Sequence, residues 1–181
     1  MGRVGCSIIV VTSLAAALLS AACFADGTYR VNIDVQPGTY RAINTSAGCY
    51  WERLSGFDGT FDQIIANNYT SGPEVVTISP TDVGFSAEGC GLWLSAQFPI
   101  TSSPTAPFGA GTYIVGLDIA PGTWRNSDSS GGCYWARLKG FSGAFADLIT
   151  NNYTSGLDFV TINASDAGFA SNGCGMWTKT N

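Results

Sequence analysis

The side chains able to do chemistry are few, and their types narrow the options at once. The chain of 181 residues has no histidine, 8 Lys and Arg together, 13 Asp and Glu, and 6 cysteines. Without histidine, the usual base of a catalytic triad and the commonest metal ligand are both missing. Lys139 and Lys179 are the only lysines, so a Ser-Lys dyad has little to draw on. Glycoside hydrolysis needs two carboxylates flanking a cleft. Here the recurring acids are Asp34, Asp82 and Glu74, with Asp118, Asp166 and Asp158 in a second set. Domains this small rarely build a deep pocket. The expectation is no enzyme, no cofactor and no metal, with a hydrolase working through Asp or Glu as a minor alternative.

The second set of acids exists because the chain repeats itself. Residues 27–97 align without a gap on residues 111–181, at a constant offset of 84 that carries Gly27 onto Gly111. Pro37-Gly38-Thr39-Tyr40-Arg41 returns as Pro121-Gly122-Thr123-Trp124-Arg125, and Cys49-Tyr50-Trp51-Glu52-Arg53-Leu54 as Cys133-Tyr134-Trp135-Ala136-Arg137-Leu138. Asn67-Asn68-Tyr69-Thr70-Ser71-Gly72 returns unchanged from Asn151. Two copies are too few for a solenoid, which favours tandem domains. Between them, residues 98–110 hold Pro99, Pro104 and Pro107 among Ser, Thr and Gly, a composition suited to an extended linker.

Within each copy the periodicity is two. Tyr29, Val31 and Ile33 alternate with polar neighbours, and Pro37-Gly38 supplies a turn. Tyr40 to Ile43, Cys49 to Leu54, Val75 to Ile78 and Cys90 to Leu94 read as further strands; Phe61 to Ile65 is ambiguous between strand and helical turn. The fold class is therefore all-β: two tandem antiparallel sandwich or roll domains of five to seven short strands each.

Four cysteines occupy equivalent places, and repeat symmetry favours Cys49–Cys90 and Cys133–Cys174 among the three possible pairings. Each bridge would close a loop of roughly 42 residues, worth about 4 kcal/mol on the chain-entropy argument. A domain of about 70 residues has a core supplying only some 3–5 kcal/mol, so the bridge could decide whether it folds. Trp51 and Trp135 share a strand face with these cysteines and should lean on the bridge. Tyr50 and Tyr134 face the other way and are the better candidates for stacking on a sugar. Arg53 and Arg137 share the tryptophan face and need a carboxylate, either a structural partner or a bound anion. Asn67, Asn68 and Tyr69, with Asn151, Asn152 and Tyr153, are the remaining candidates, because loops on a rigid scaffold often carry binding.

Residues 1–25 read as an export signal, with a basic start at Arg3, an apolar run over residues 8–19 and small residues after it. Cleavage after Ala22 or after Ala25 fits. Lipidation of Cys23 is a second use of the same segment, although Ser20 stands where a lipoprotein signal carries an aliphatic residue. The net charge of −5, with no cluster of Lys or Arg, removes the counterion-release term that nucleic acid and anionic lipid require. The domains expected are thus signal 1–25, first repeat 26–97, linker 98–110 and second repeat 111–181.

The run Gly-Thr-Tyr-x-Val-x-x-Asp-x-x-Pro-Gly-Thr, then Cys-Tyr-Trp-x-Arg-Leu, Val-Thr-Ile and Gly-Cys-Gly-x-Trp resembles a repeat domain of secreted actinobacterial cell-envelope proteins. Copy one departs from it at Asn32, where the pattern has the glycine that copy two keeps as Gly116. The resemblance implies secretion and a β-rich domain, and no catalytic residue. The reading is a secreted, non-enzymatic module of the cell envelope with a structural or binding role, its partner a cell-wall polysaccharide or a surface protein. Membrane attachment would come only through a lipid on Cys23. The alternative is a secreted inhibitor of a partner enzyme.

Overall fold

Short strands with alternating large apolar and polar residues can bury one face only, and two such sheets close over each other. The structure, a computed structural model, describes residues 23–43, 48–127 and 131–180; the apolar run 8–19, Arg3, Cys6, Ser20 and Ala22 lie outside the described residues. Copy one contains β1 (Cys23–Phe24), β2 (Gly27–Arg30), β3 (Gly38–Ala42), β4 (Cys49–Leu54), β5 (Ile64–Thr70), β6 (Glu74–Ile78), β7 (Gly84–Glu88) and β8 (Trp93–Ser95). Copy two contains β9 (Gly111–Ile114), β10 (Gly122–Asn126), β11 (Cys133–Leu138), β12 (Leu148–Thr154), β13 (Phe159–Ile162), β14 (Gly168–Asn172) and β15 (Trp177–Lys179). The sheets run β1-β8-β3-β6 and β2-β7-β4-β5 in copy one, then β13-β10-β15 and β12-β11-β14-β9 in copy two, with every pair antiparallel. The all-β reading holds. The ambiguous segment is a 3-10 turn, Phe61–Gln63, leading into β5.

Inward residues of the two sheets meet in an aromatic core. In copy one Tyr40, Val76 and Trp93 from one sheet face Trp51, Phe85 and Cys49 from the other. Both bridges form inside a copy, Cys49–Cys90 and Cys133–Cys174, with all four cysteines buried. Asn32 sits at a left-handed φ of 67°, the place where copy two has Gly116 at 81°, so the turn after β2 needs a residue that tolerates this region.

Two expected boundaries move. Phe24, assigned above to the export signal, lies at the centre of the first core, with ring centroids 5.0 Å from Tyr40, 5.2 Å from Tyr29 and 5.7 Å from Phe85. Phe108, assigned to the linker, repeats this 84 residues later, at 4.7 Å from Tyr113 and 4.9 Å from Trp124. Each pairs with the last strand of its copy, Phe24 opposite Trp93 and Phe108 opposite Trp177. Alignment by identity missed them because, between residues 24 and 27, the two copies share only the Phe and the Gly.

The copies are also joined directly. Thr112 N donates to Pro73 O at 2.7 Å, Thr77 N to Phe141 O at 2.8 Å, and Arg53 to Ser142 O at 2.6 Å. Arg41, which strand alternation points out of its own sheet, is only 2% exposed because copy two covers it. Its guanidinium forks onto Asp118 at 2.9 and 3.0 Å. The copies thus share a packed interface where an extended linker between tandem domains was expected, and Ile100 of the connecting segment donates its amide to the same Asp118.

Candidate functional site

Each copy carries a groove where its β2-type strand, its Cys-Tyr-Trp strand and the loop ending in the 3-10 turn converge. In copy one the groove measures about 350 Å³ and is lined by Thr28, Tyr50, Glu52, Phe57, Phe61 and Gln63 among others. In copy two it measures about 340 Å³ and uses Thr112, Tyr134, Phe141, Phe145 and Asp147 from the same positions. Its far wall comes from copy one, with Trp51, Asn67, Asn68 and Glu74.

The lip of each groove is an exposed phenylalanine on the 3-10 turn. Phe61 is 92% and Phe145 87% exposed, a costly placement for a large apolar ring in water. The loop that presents it is fixed from below. In copy one Gln63 closes it, accepting from Asp58 N at 2.7 Å and donating to the Asp58 carboxylate at 2.8 Å. In copy two Asp147 does so, accepting from Ser142 N at 2.7 Å and Ser142 Oγ at 2.6 Å.

The outer faces of β4 and β5 place Tyr50 across from Tyr69, and those of β11 and β12 place Tyr134 across from Tyr153. Asn67 donates to the Tyr50 hydroxyl at 3.1 Å, and Asn151 to that of Tyr134 at 3.3 Å. The Tyr50 hydroxyl in turn donates to Glu52 at 3.0 Å. Burial pushes the Tyr50 phenol up, against the Asn67 hydrogen bond, so it stays a protonated donor. Six of the expected binding residues therefore share the outer faces.

The others lie on the opposite faces of these strands, where Asn68 and Asn152 stay exposed. Arg53 forks onto Asp82 at 2.7 Å through both nitrogens, and Arg137 onto Asp166 at 2.7 and 2.9 Å. Those guanidiniums are thus tied into ion pairs with buried carboxylates. Asn68 donates to Glu74 at 2.6 Å and Asn152 to Asp158 at 2.9 Å. The outcome for these two equivalent acids differs. Glu74 is 1% exposed beneath copy two, and this desolvation raises its carboxyl despite hydrogen bonds from Thr112, Val75 N and Asn68. Burial also works against the Asp158 charge, but hydrogen bonds from Trp135, Asn152 and Phe159 N outweigh it and hold the carboxyl below its ordinary value. Trp135 Nε1 reaches Asp158 at 2.7 Å, whereas Trp51 Nε1 makes no hydrogen bond of good geometry.

Sequence reasoning missed Phe61, Phe145, Glu52 and Asp147 as groove residues. A large apolar residue in a segment that fits neither period was the available signal. Among the described residues no cluster of three or more Cys, Asp or Glu could hold a metal. Cys23 lies on β1, paired with Leu94.

Comparison with known proteins follows the same boundaries. No solved structure matches the chain. The uncharacterized proteins Rv1352 of Mycobacterium tuberculosis and Mb1387 of Mycobacterium bovis are each 29% identical to it over 82 residues, a match taking in 38% of this chain and 67% of the relative. A family model described as the Rv1352-like extracellular domain matches residues 21–94 and again residues 105–178, so that both matches take in the core phenylalanines Phe24 and Phe108. The chain belongs to the Rv1352-like extracellular domain family, which it carries in two tandem copies.

Proposed function

We propose that this protein is a secreted, non-enzymatic module of the cell envelope that binds carbohydrate in its two grooves. The family is one of extracellular domains, which places the chain outside the cytoplasm. Among the described residues no helix is long and apolar enough to cross a membrane. The observation that carries the reading is the exposed Phe61 or Phe145 ring at the lip of a groove that also holds a tyrosine and fixed polar groups. Apolar rings beside a few oriented hydrogen-bonding groups suit a sugar, which has an apolar ring face and a polar rim. The volumes of about 340 and 350 Å³ fall in the usual range for a small ligand.

The acids support binding over hydrolysis. Asp82, Asp118 and Asp166 are held in ion pairs, and Glu74 has one oxygen taken by Asn68 and the other by Val75 N. Asp147, which shares the copy-two groove with Glu74, has its Oδ2 taken by Ser142 N and Oγ, and Glu52 in the copy-one groove has no second carboxylate beside it among the described residues. The test is retention of the purified mature protein on cell-wall polysaccharide and a glycan panel. Phe61→Ala with Phe145→Ala, and separately Tyr50→Ala with Tyr134→Ala, are expected to lose at least tenfold in affinity, the equivalent of about 1.4 kcal/mol. Binding that is undiminished in both double variants removes the grooves from the proposal.

A further inference from the structure

The contact between the two copies is made by two unlike faces. Copy one contributes the outer side of β3 and β6, with Arg41, Val75 and Thr77; copy two contributes the start of β9, the turn after it and the loop at residues 139–147, with Thr112, Asp118 and Phe141. Because the copies are equivalent, each face exists twice in the molecule, and the second of each has side chains exposed to solvent. The outer side of β10 and β13 presents Arg125, Phe159 and Thr161 to solvent, and the start of β2 with the 55–63 loop presents Thr28, Asp34 and Phe57.

The uncovered faces retain the features that make the covered ones fit. Val75 is 3% exposed under copy two, whereas Phe159 at the same place is 58% exposed, with Leu157 beside it at 64%. These are the large apolar side chains of a contact surface, exposed to solvent. Gly143, at φ 73°, lies so close to Trp51 that an added Cβ would fall 2.8 Å from the ring; Gly59, at φ 75°, has the same shape and open space before it. The groove of copy two has a far wall built by copy one, and among the described residues none builds the equivalent side of copy one's groove.

We propose that molecules of this protein assemble head to tail, the Arg125, Leu157 and Phe159 face of one docking on the Thr28, Asp34 and Phe57 face of the next, so repeating between chains the contact made within each. Such a contact is heterologous and leaves a free face at either end of every assembly, so growth does not stop at a dimer. Each new junction would also complete the far wall of a copy-one groove, although the assembly stands or falls independently of what the grooves bind.

Two features set its strength. Within a chain the connecting segment holds the faces together at a high effective concentration, and between chains that help is absent, so assembly needs a high local concentration. Arg30 also occupies Asp34, donating at 2.7 and 3.0 Å, where copy two has Ile114 and leaves Asp118 to Arg41. Arg30 is well exposed and can swing into solvent to admit Arg125. It acts as a competitor for the joint.

Sedimentation velocity on the mature chain, up to about 1 mM, the effective concentration a short flexible tether supplies, reads the outcome. The wild type is expected to show a concentration-dependent series reaching past the dimer, and Arg30→Ala to show the same series at several-fold lower concentration. Asp34→Arg alone and Arg125→Asp alone are expected to remain monomeric, and an equimolar mixture of the two to assemble, because each charge then meets its opposite. Phe159→Ser, an exposed change that leaves the Asp34 turn untouched, is expected to abolish the series. A wild type that stays monomeric throughout overturns the proposal. So does a closed dimer that survives the single reversals, or a mixture that fails to assemble.

Discussion

At the scale of single residues, the clearest physical contrast is Glu74 against Asp158. The two occupy one position in the repeat, accept from the same asparagine and sit beside the same tryptophan, yet their carboxyls move in opposite directions. The cause lies outside the copy. Copy two desolvates Glu74, and nothing comparable covers Asp158. A carboxyl raised above its unfolded value binds its proton more tightly in the native state, so its stabilising contribution is complete below about 4.5 and is lost as pH rises through the raised value. Asp158 has the opposite sign, with stability present above 3.8 and lost as pH falls through the lowered native value. Urea titrations across a pH series are expected to show stability declining above about pH 4.5 in the wild type, with that slope reduced in Glu74→Gln. The slope is the readout, because a glutamine cannot accept at both oxygens and lowers stability at every pH. An unchanged slope would assign the decline to other groups.

At the scale of elements, β1 and its counterpart at Phe108 are the pieces that complete the sandwiches. Phe24 touches four aromatic rings, at 5.0 to 6.0 Å, including Trp93 stacked at 6.0 Å. Phe24→Ala and Phe108→Ala are each expected to cost about 3–5 kcal/mol in denaturant melts, the usual range for a buried Phe. A cut after Ala25 would remove the first of these rings, whereas a cut after Ala22 spares it. N-terminal sequencing of exported protein is accordingly expected to begin at Cys23, and a start at Asp26 would contradict the argument. These elements also mark what the sequence makes legible. Period-two strands and in-copy bridges could be read because alternation and cysteine symmetry are local or repeated signals. Phe24 could not, because its neighbours differ between the copies and a signal peptide ends in the same residues. Tyr50 was legible as an outward residue from the alternation of its strand, whereas Asn67 and Tyr69, expected on a loop, lie on the strand β5, and Phe61 sits on a 3-10 turn that has no such alternation.

At the scale of the whole molecule, the question is whether the repeats are two proteins on a string or one folding unit, and Arg41 decides it. Nothing in the sequence marks it, since Arg125 is its counterpart and is exposed. Identity between copies says which residues are equivalent and cannot say which copy's surface is covered. The Arg41–Asp118 pair has side chains 2% and 0% exposed, and Asp118 also accepts from the Ile100 and Ile114 amides. Removing one member leaves the other charge buried and alone, which costs about 3–5 kcal/mol, and an apolar residue at 118 would also strip the two amides of their acceptor. Since each small sandwich has only a few kcal/mol of its own beyond its bridge, a loss of that size at the joint should uncouple the halves. Calorimetry of the intact chain is expected to show one transition, and Arg41→Ala to show two with the earlier at lower temperature. If Arg41→Ala melts as one transition at the wild-type midpoint, the buried pair does not couple the copies, and each is then stabilised by its own core and cystine alone.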